Sequence, residues 1–136
     1  MQIRHGTAAW FAMVGGVMRD AALQAALPSD FRLGLVERYT DGSPLGPGLV
    51  QGLRFDIAGG APAFRIGALA NETADITIEV TSAASHALNR LYAADPAYGA
   101  ALAAFQASGA LRIEGDLARL GAWFGAVHDR IVARTR

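Results

Sequence analysis

The chain has 136 residues, the size of one domain, and 52% of them are hydrophobic, enough for a core without disulfide or metal staples. Twelve basic and 12 acidic residues cancel, and no basic block or stripe stands out, so the electrostatic footprint of a nucleic-acid-binding protein is missing. Cysteine is absent, which excludes disulfides and thiolate metal sites.

Every basic residue is Arg, and Ala and Gly are abundant, a usage that fits bacterial genome composition more than function. Much of the hydrophobic excess is Ala. The core is therefore built from small residues around a few large ones, either packed very closely or leaving apolar volume for a guest.

Residues 7–26 read as a helix with Thr7 as N-cap and Phe11, Val14, Met18, Ala21 and Ala25 at helical spacing. Gly15-Gly16 in its middle costs about 1 kcal/mol per Gly relative to Ala. Such a pair implies close approach to another backbone, or a kink. Pro28 ends the segment. The basic start and apolar run of "MQIRHGTAAWFAMVGGVM" have the outline of a signal peptide. Arg19 and Asp20 follow at once and continue the helical pattern, so an amphipathic first helix is the reading, and the run is too short to span a membrane.

Residues 31–40 read as a strand and 41–48, dense in Gly and Pro, as a loop. In 49–57 the residues alternate: Leu49, Leu53, Phe55 and Ile57 face one way, Gly52, Arg54 and Asp56 the other. After a turn at 58–62, residues 63–69 give a third strand with Phe64 and Ile66 in phase, completing an antiparallel meander. Residues 74–82 form the cleanest strand, with Ile76, Ile78 and Val80 on one face. Arg54, Asp56, Arg65, Thr77, Glu79, Arg112 and Glu114 all fall on polar phases, so the sheet has one wet face and one covered face.

Helices supply the cover. Ser82 caps a helix over 83–93. Asp95-Pro96 opens a second over 96–107, carrying Tyr98, Ala101, Leu102 and Phe105, and Gly109 stops it. Leu111 and Ile113 make a fifth strand, bracketed by Gly109 and Gly115, which let the chain turn sharply at both ends. Asp116 caps a last helix over 117–133, with Leu117, Leu120, Phe124, Val127 and Ile131 on one stripe.

Nothing in this pattern assigns a catalytic residue, a cofactor or a metal. His128 and Asp129 are neighbours on a helix and point about 100° apart. Asp95 and Asp116 are caps; Ser82 and Ser108 are cap and turn. "GSPLGPG" lacks the Gly-Lys-Ser/Thr end of a phosphate loop, and His5, His86 and His128 have no metal-ligand spacing. His128 lies in the apolar arc, where it either meets a ligand's polar head or sits half-buried near a helix end. Trp123 lies beside the stripe and reads as a packing residue, with a membrane or subunit contact as the alternative.

The stretches "ETADITIEVTSAASHALNRLYAADPA" and "FQASGALRIEGDLARL" resemble the sterol carrier protein 2 (SCP2) sterol-binding domain family. The matching positions are Ala74, Asp75, Ile76, Thr77, Ile78 and Val80, the Asp95-Pro96 junction and Phe105. Ser108, Gly109, Leu111, Ile113, Gly115 and Asp116 complete them. The order of elements extends the resemblance over nearly the whole chain. It implies an α+β fold: one domain over 1–136, with a mixed five-stranded sheet covered by helices on one face. An apolar tunnel between the layers would take a fatty acid, acyl-CoA, phospholipid or sterol-like molecule.

On that reading the chain is a cytoplasmic, non-catalytic lipid carrier with at most transient membrane contact. The lining residues are Phe55, Ile76, Ile78 and Ile113 from strands and Leu102, Phe105, Leu120, Phe124 and Val127 from helices, with Val14 and Met18 at one end. The residues themselves leave a second reading open. The core is filled, and the chain is an interaction or homodimerisation module using Trp10, Trp123 or a sheet edge.

Overall fold

The structure is a computed structural model and describes residues 1–136. Helix α1 spans Ala8–Gln24, and the Thr7 hydroxyl caps it by accepting from the Trp10 N–H at 3.1 Å. Trp10, Phe11, Met13, Val14, Val17, Met18, Ala21 and Ala22 are buried, so this helix is part of the core. The Gly pair is explained at one position only. A Cβ on Gly15 would collide with the ring of Phe64, whereas nothing lies within 4 Å of one on Gly16. The close approach is to a side chain rather than to a backbone, and the helix runs on unbroken.

The strands are β1 (Leu33–Tyr39), β2 (Pro44–Gly46), β3 (Leu49–Ala58), β4 (Ala61–Ala68), β5 (Ile76–Val80) and β6 (Leu111–Glu114). There are six strands instead of five because β2 lies inside the expected 41–48 loop. Leu53 of β3 pairs with Glu37 on one edge and Ile66 on the other. Val50 pairs with both Pro44 and Ala68. Strand β2 therefore sits on the β1 side of β3, and five lanes remain, β4-β3-β1-β5-β6. The β1–β5 pairing is parallel and the others antiparallel, so the sheet is mixed and the fold α+β.

Leu33, Leu35, Tyr39, Leu53, Phe55, Ile57, Ile76, Ile78 and Val80 are buried under the helices. The opposite face carries ion pairs. Arg54 and Arg65 are cross-strand partners, an unfavourable placement for like charges. Glu72 answers it by pairing with both. Burial alone would raise the Glu72 carboxyl, but the Leu69 N–H and the two guanidiniums outweigh it and hold the group below its ordinary value. Thr77 departs from the expected wet face: it is buried, and its hydroxyl accepts from the Ala74 N–H at 3.1 Å.

Helix α2 spans Ser82–Leu88, capped by Thr81 rather than Ser82: the Thr81 hydroxyl accepts from the Ala84 N–H at 3.1 Å. The helix stops well short of residue 93. Helix α3 (Pro96–Ser108) has Asp95 as its N-cap and Gly109 in the left-handed conformation at its end, as expected. Gly115 (φ 95°) turns the chain where a Cβ would run into the Asp75 carbonyl.

Asp116 does cap, accepting from the Ala118 N–H at 2.9 Å, but a 3₁₀ turn (Leu117–Leu120) follows instead of a long helix. A second 3₁₀ turn (Ala122–Ala126) leads into the short helix α4 (Val127–Val132). Gly121, at φ 107° and ψ 174°, breaks the expected helix. The stripe survives the break: Leu120, Val127 and Ile131 are buried, and Leu117 and Phe124 are partly so.

Candidate functional site

A cavity of about 420 Å³ lies between the covered face of the sheet and the helices, within the ordinary range for small-molecule sites. Sixteen of its 21 lining residues are hydrophobic, which makes it a place for apolar surface. The middle of its floor follows one row of the strand register, in which Leu53 pairs with Glu37, Glu37 with Ile78, and Ile78 with Ile113, and Leu35, Val80 and Leu111 of the flanking rows also line it. Trp10, Val14 and Met18 of α1 close one side, Ser85 and Leu88 of α2 and its C-cap Asn89 another. Tyr98, Leu102 and Gln106 of α3 form the roof. No residue of α3 is buried, and Gln106 is exposed while lining the cavity, so the opening lies along this helix.

Of the expected lining residues, Ile78, Leu102, Ile113, Phe124 and Val127 face the cavity, together with Val14 and Met18. Phe55, Ile76, Phe105 and Leu120 do not. Phe55 and Ile76 have the inward phase but belong to the neighbouring row, where each pairs with Leu35. Leu35 itself lines the cavity, but on either side of it the core is filled: Phe55 and Ile76, like Leu120, are at most 1% exposed, and Phe55 lies 6.2 Å from the Trp123 ring. Phe105 is partly buried beside the core, and the residues that α3 turns to the cavity are Tyr98, Leu102 and Gln106.

Glu37 is the residue that sequence reasoning passed over. The alternation Leu33, Leu35, Glu37, Tyr39 sets its carboxyl on the covered face of the middle strand. All the ion pairs of the molecule lie elsewhere, and no Arg lines the cavity. Burial without a cation pushes the Glu37 carboxyl up to about 7.

Close by, the Tyr39 and Ser85 hydroxyls are hydrogen-bonded at 2.7 Å, and His5 Nε2 reaches Tyr39 at 2.9 Å and Ser85 at 3.2 Å. Burial, then the charge of Glu37, drives the Tyr39 phenol upward, with the Ser85 bond opposing. Burial, then the stacked His86 ring 4.8 Å away, lowers His5 to about 4. His5 and His86 also border a polar cleft with Arg4, Arg90 and Arg136, outside the apolar cavity.

His128 lines the cavity, packs 4.4 Å from the Tyr98 ring, and donates from Nε2 to the Leu91 carbonyl at 2.7 Å. Asp129 accepts from the Ala93 N–H at 2.8 Å. The two neighbours thus tie down one loop and do not face each other. Trp123 is partly buried, its Nε1–H donating to the Leu120 carbonyl at 2.6 Å. Trp10 is 2% exposed and donates to the Thr135 hydroxyl at 2.9 Å. It therefore offers no surface for the contact that the interaction-module reading assigned to it. No helix is long and apolar enough to cross a membrane.

No family model matches the chain, and no curated protein matches it. Solved structures do. A crystal structure of sterol carrier protein 2 is 18% identical, with 92% of each chain covered and a TM-score of 0.47. The sterol carrier protein domain 2 of Helicoverpa armigera is 14% identical, covering 94% of this chain and 89% of that one at a TM-score of 0.47. A double mutant of the sec-alkyl sulfatase PisA1 is 24% identical over 69% of this chain at a TM-score of 0.40, and the match spans 12% of the sulfatase. These likenesses concern the fold, and at such TM-scores nothing about ligand or activity is carried over from them.

Proposed function

We propose that this chain binds and carries a lipid-like apolar molecule, without catalysing a reaction on it. The observation that supports this reading is the cavity of about 420 Å³ with 16 hydrophobic residues among its 21 lining ones. A protein core is ordinarily packed to crystal density with few voids larger than a water molecule. A void of this size under a helix with no buried residue is a poor use of a core and a good use of a binding site. Each methylene moved from water into it contributes about 0.8 kcal/mol, so an acyl chain or ring system binds without specific polar contacts. The resemblance of the sequence to SCP2 domains points to the same class of guest.

Filling the cavity tests the reading. Leu102→Trp projects bulk into the space from α3, while Phe105→Trp, one turn on, adds it outside. Titration with dodecanol, followed by calorimetry, is expected to give binding by the parent chain and by Phe105→Trp. Binding should be at least about tenfold weaker in Leu102→Trp, the loss of two or so buried methylenes. Thermal unfolding of both variants separates this from overpacking, which costs about 1–3 kcal/mol wherever it occurs. Equal binding by the two variants overturns the placement of the guest.

A further inference from the structure

The cavity has one feature that a plain acyl-chain site does not need: an ionisable carboxyl on its floor. Glu37 lies in the middle lane of the sheet, between Leu53 and Ile78, both of which also line the cavity. It has no ion-pair partner, and no side-chain hydrogen bond closes on its carboxylate. Truncating or burying one member of a charge pair is costly because the remaining charge is left uncompensated. Glu37 is half-buried with its carboxylate facing the cavity and no cation beside it, a place where the head of a guest can supply the partner.

We propose that Glu37 is the polar anchor of this cavity, and that the guest is an amphiphile whose head is a protonated amine, carried inward to the Glu37 carboxylate. The inference rests on the proposed binding of an apolar molecule and names its head group. The lining argues for this charge and against the opposite one. It contains no Arg, so an ionised carboxylate or phosphate brought to the same depth meets a like charge and no cation. A neutral hydroxyl donates one hydrogen bond and is intermediate.

The groups around Glu37 are consistent with a single acidic anchor. Helix α2 presents Ser85 and, at its C-cap, Asn89, and α1 presents Trp10, Val14 and Met18. Helix α3 presents Tyr98, Leu102 and Gln106, and α4 presents His128. Two residues along β1, Tyr39 is occupied by Ser85 and His5. His128, already donating to the Leu91 carbonyl, is the only histidine in the lining. The Glu37 carboxyl stands at about 7 in the absence of a guest. An amine that requires the ionised form should therefore bind more tightly as pH rises through this value, releasing a proton to bulk when it binds below it.

The experiment is calorimetric titration of the full chain with dodecylamine, dodecanol and laurate, all with the same tail, at about pH 8.5 and about pH 5.5, on either side of the Glu37 transition. In the parent chain at the higher pH the amine is expected to bind tightest and laurate weakest, and the amine should weaken at least about fivefold at the lower pH. Glu37→Gln keeps the shape and removes the charge. It should cost the amine about tenfold or more at the higher pH, leave dodecanol within about threefold, and strengthen laurate.

An unchanged amine affinity in Glu37→Gln overturns the proposal, as does laurate binding tightest to the parent chain at the higher pH. A pH dependence that persists in Glu37→Gln assigns it to His128, with the same consequence. If the variant fails to fold, the parent chain's ranking at the higher pH, amine above dodecanol above laurate, decides the matter in its place. Binding of dodecanol alone would sink the amine head group and leave the apolar cavity standing. Binding of none of the three would remove both.

Discussion

Glu37 and His5 impose opposite pH dependences on stability over nearly the same range. The Glu37 carboxyl moves from 4.5 to about 7 on folding. Between those values the folded chain keeps a proton that the unfolded chain has released. The associated stability is therefore full below 4.5 and is lost as pH rises to about 7. For a carboxyl so enclosed, the shift corresponds to about 3 kcal/mol. His5 moves from 6.5 down to about 4. The unfolded chain takes its proton first, so stability is full above 6.5 and is lost as pH falls toward 4.

Glu37→Gln is expected to stabilise the chain by about 1–3 kcal/mol at about pH 8 and to change little near pH 4.5. Urea unfolding at the two pH values measures this; an equal effect at both would mean that the carboxyl is not desolvated. His5→Asn should flatten the acid side of the same curve. The strand phase that sets Glu37 inward is readable from Leu33, Leu35 and Tyr39. What the alternation cannot give is whether packed side chains or open space lies above that face, because two inward residues in adjacent rows have identical local patterns. This is why Phe55 and Ile76 are in the filled core while Ile78 and Ile113 line the cavity.

Elements were readable wherever a local signal fixes them. Thr7, Asp95 and Asp116 cap as their side chains require, and the meander follows from alternation and Gly/Pro turns. Strand β2 and the form of the last segment escaped, and so did the inward face of α3. In 117–133 the apolar spacing is helical, but Gly121 takes a conformation that no helix contains, and spacing survives such a break when 3₁₀ turns carry the stripe. In α3 the sequence PAYGAALAAFQAS is apolar nearly all round, so no face is marked as inward. Leu102 and Phe105 could be told apart only by what they pack against.

The Gly pair of α1 offers a sharper test of element packing. Gly16→Ala is expected to stabilise by about 1 kcal/mol, the ordinary helix preference in open space. Gly15→Ala should destabilise by about 1–3 kcal/mol through the Phe64 ring. In a Phe64→Ala background the Gly15→Ala cost should disappear, a coupling that a double-mutant cycle by thermal unfolding reads directly. Additive effects would mean that α1 does not lie on β4 at this point.

At the scale of the molecule, a sheet with one wet and one covered face followed from patterning, its mixed topology was implied by the family resemblance, and the small-residue composition raised the choice between close packing and a void. Both occur. Toward Phe55, Ile76 and Leu120 the core is closed, and toward Glu37, Ile78 and Ile113 it is open. Composition could not apportion the two, since Ala allows either. The division gives the molecule a closed end and an open one, the proposed receiving end, with α3 over the latter.

The most direct test of that receiving end is native mass spectrometry of the purified chain, stripped of lipid and then offered dodecylamine and dodecanol. Expected is a one-to-one adduct that is lost on denaturation and suppressed in Leu102→Trp but not in Phe105→Trp. A bare mass in every case, from a chain that unfolds cooperatively, would contradict the carrier reading and leave the cavity as unfilled space.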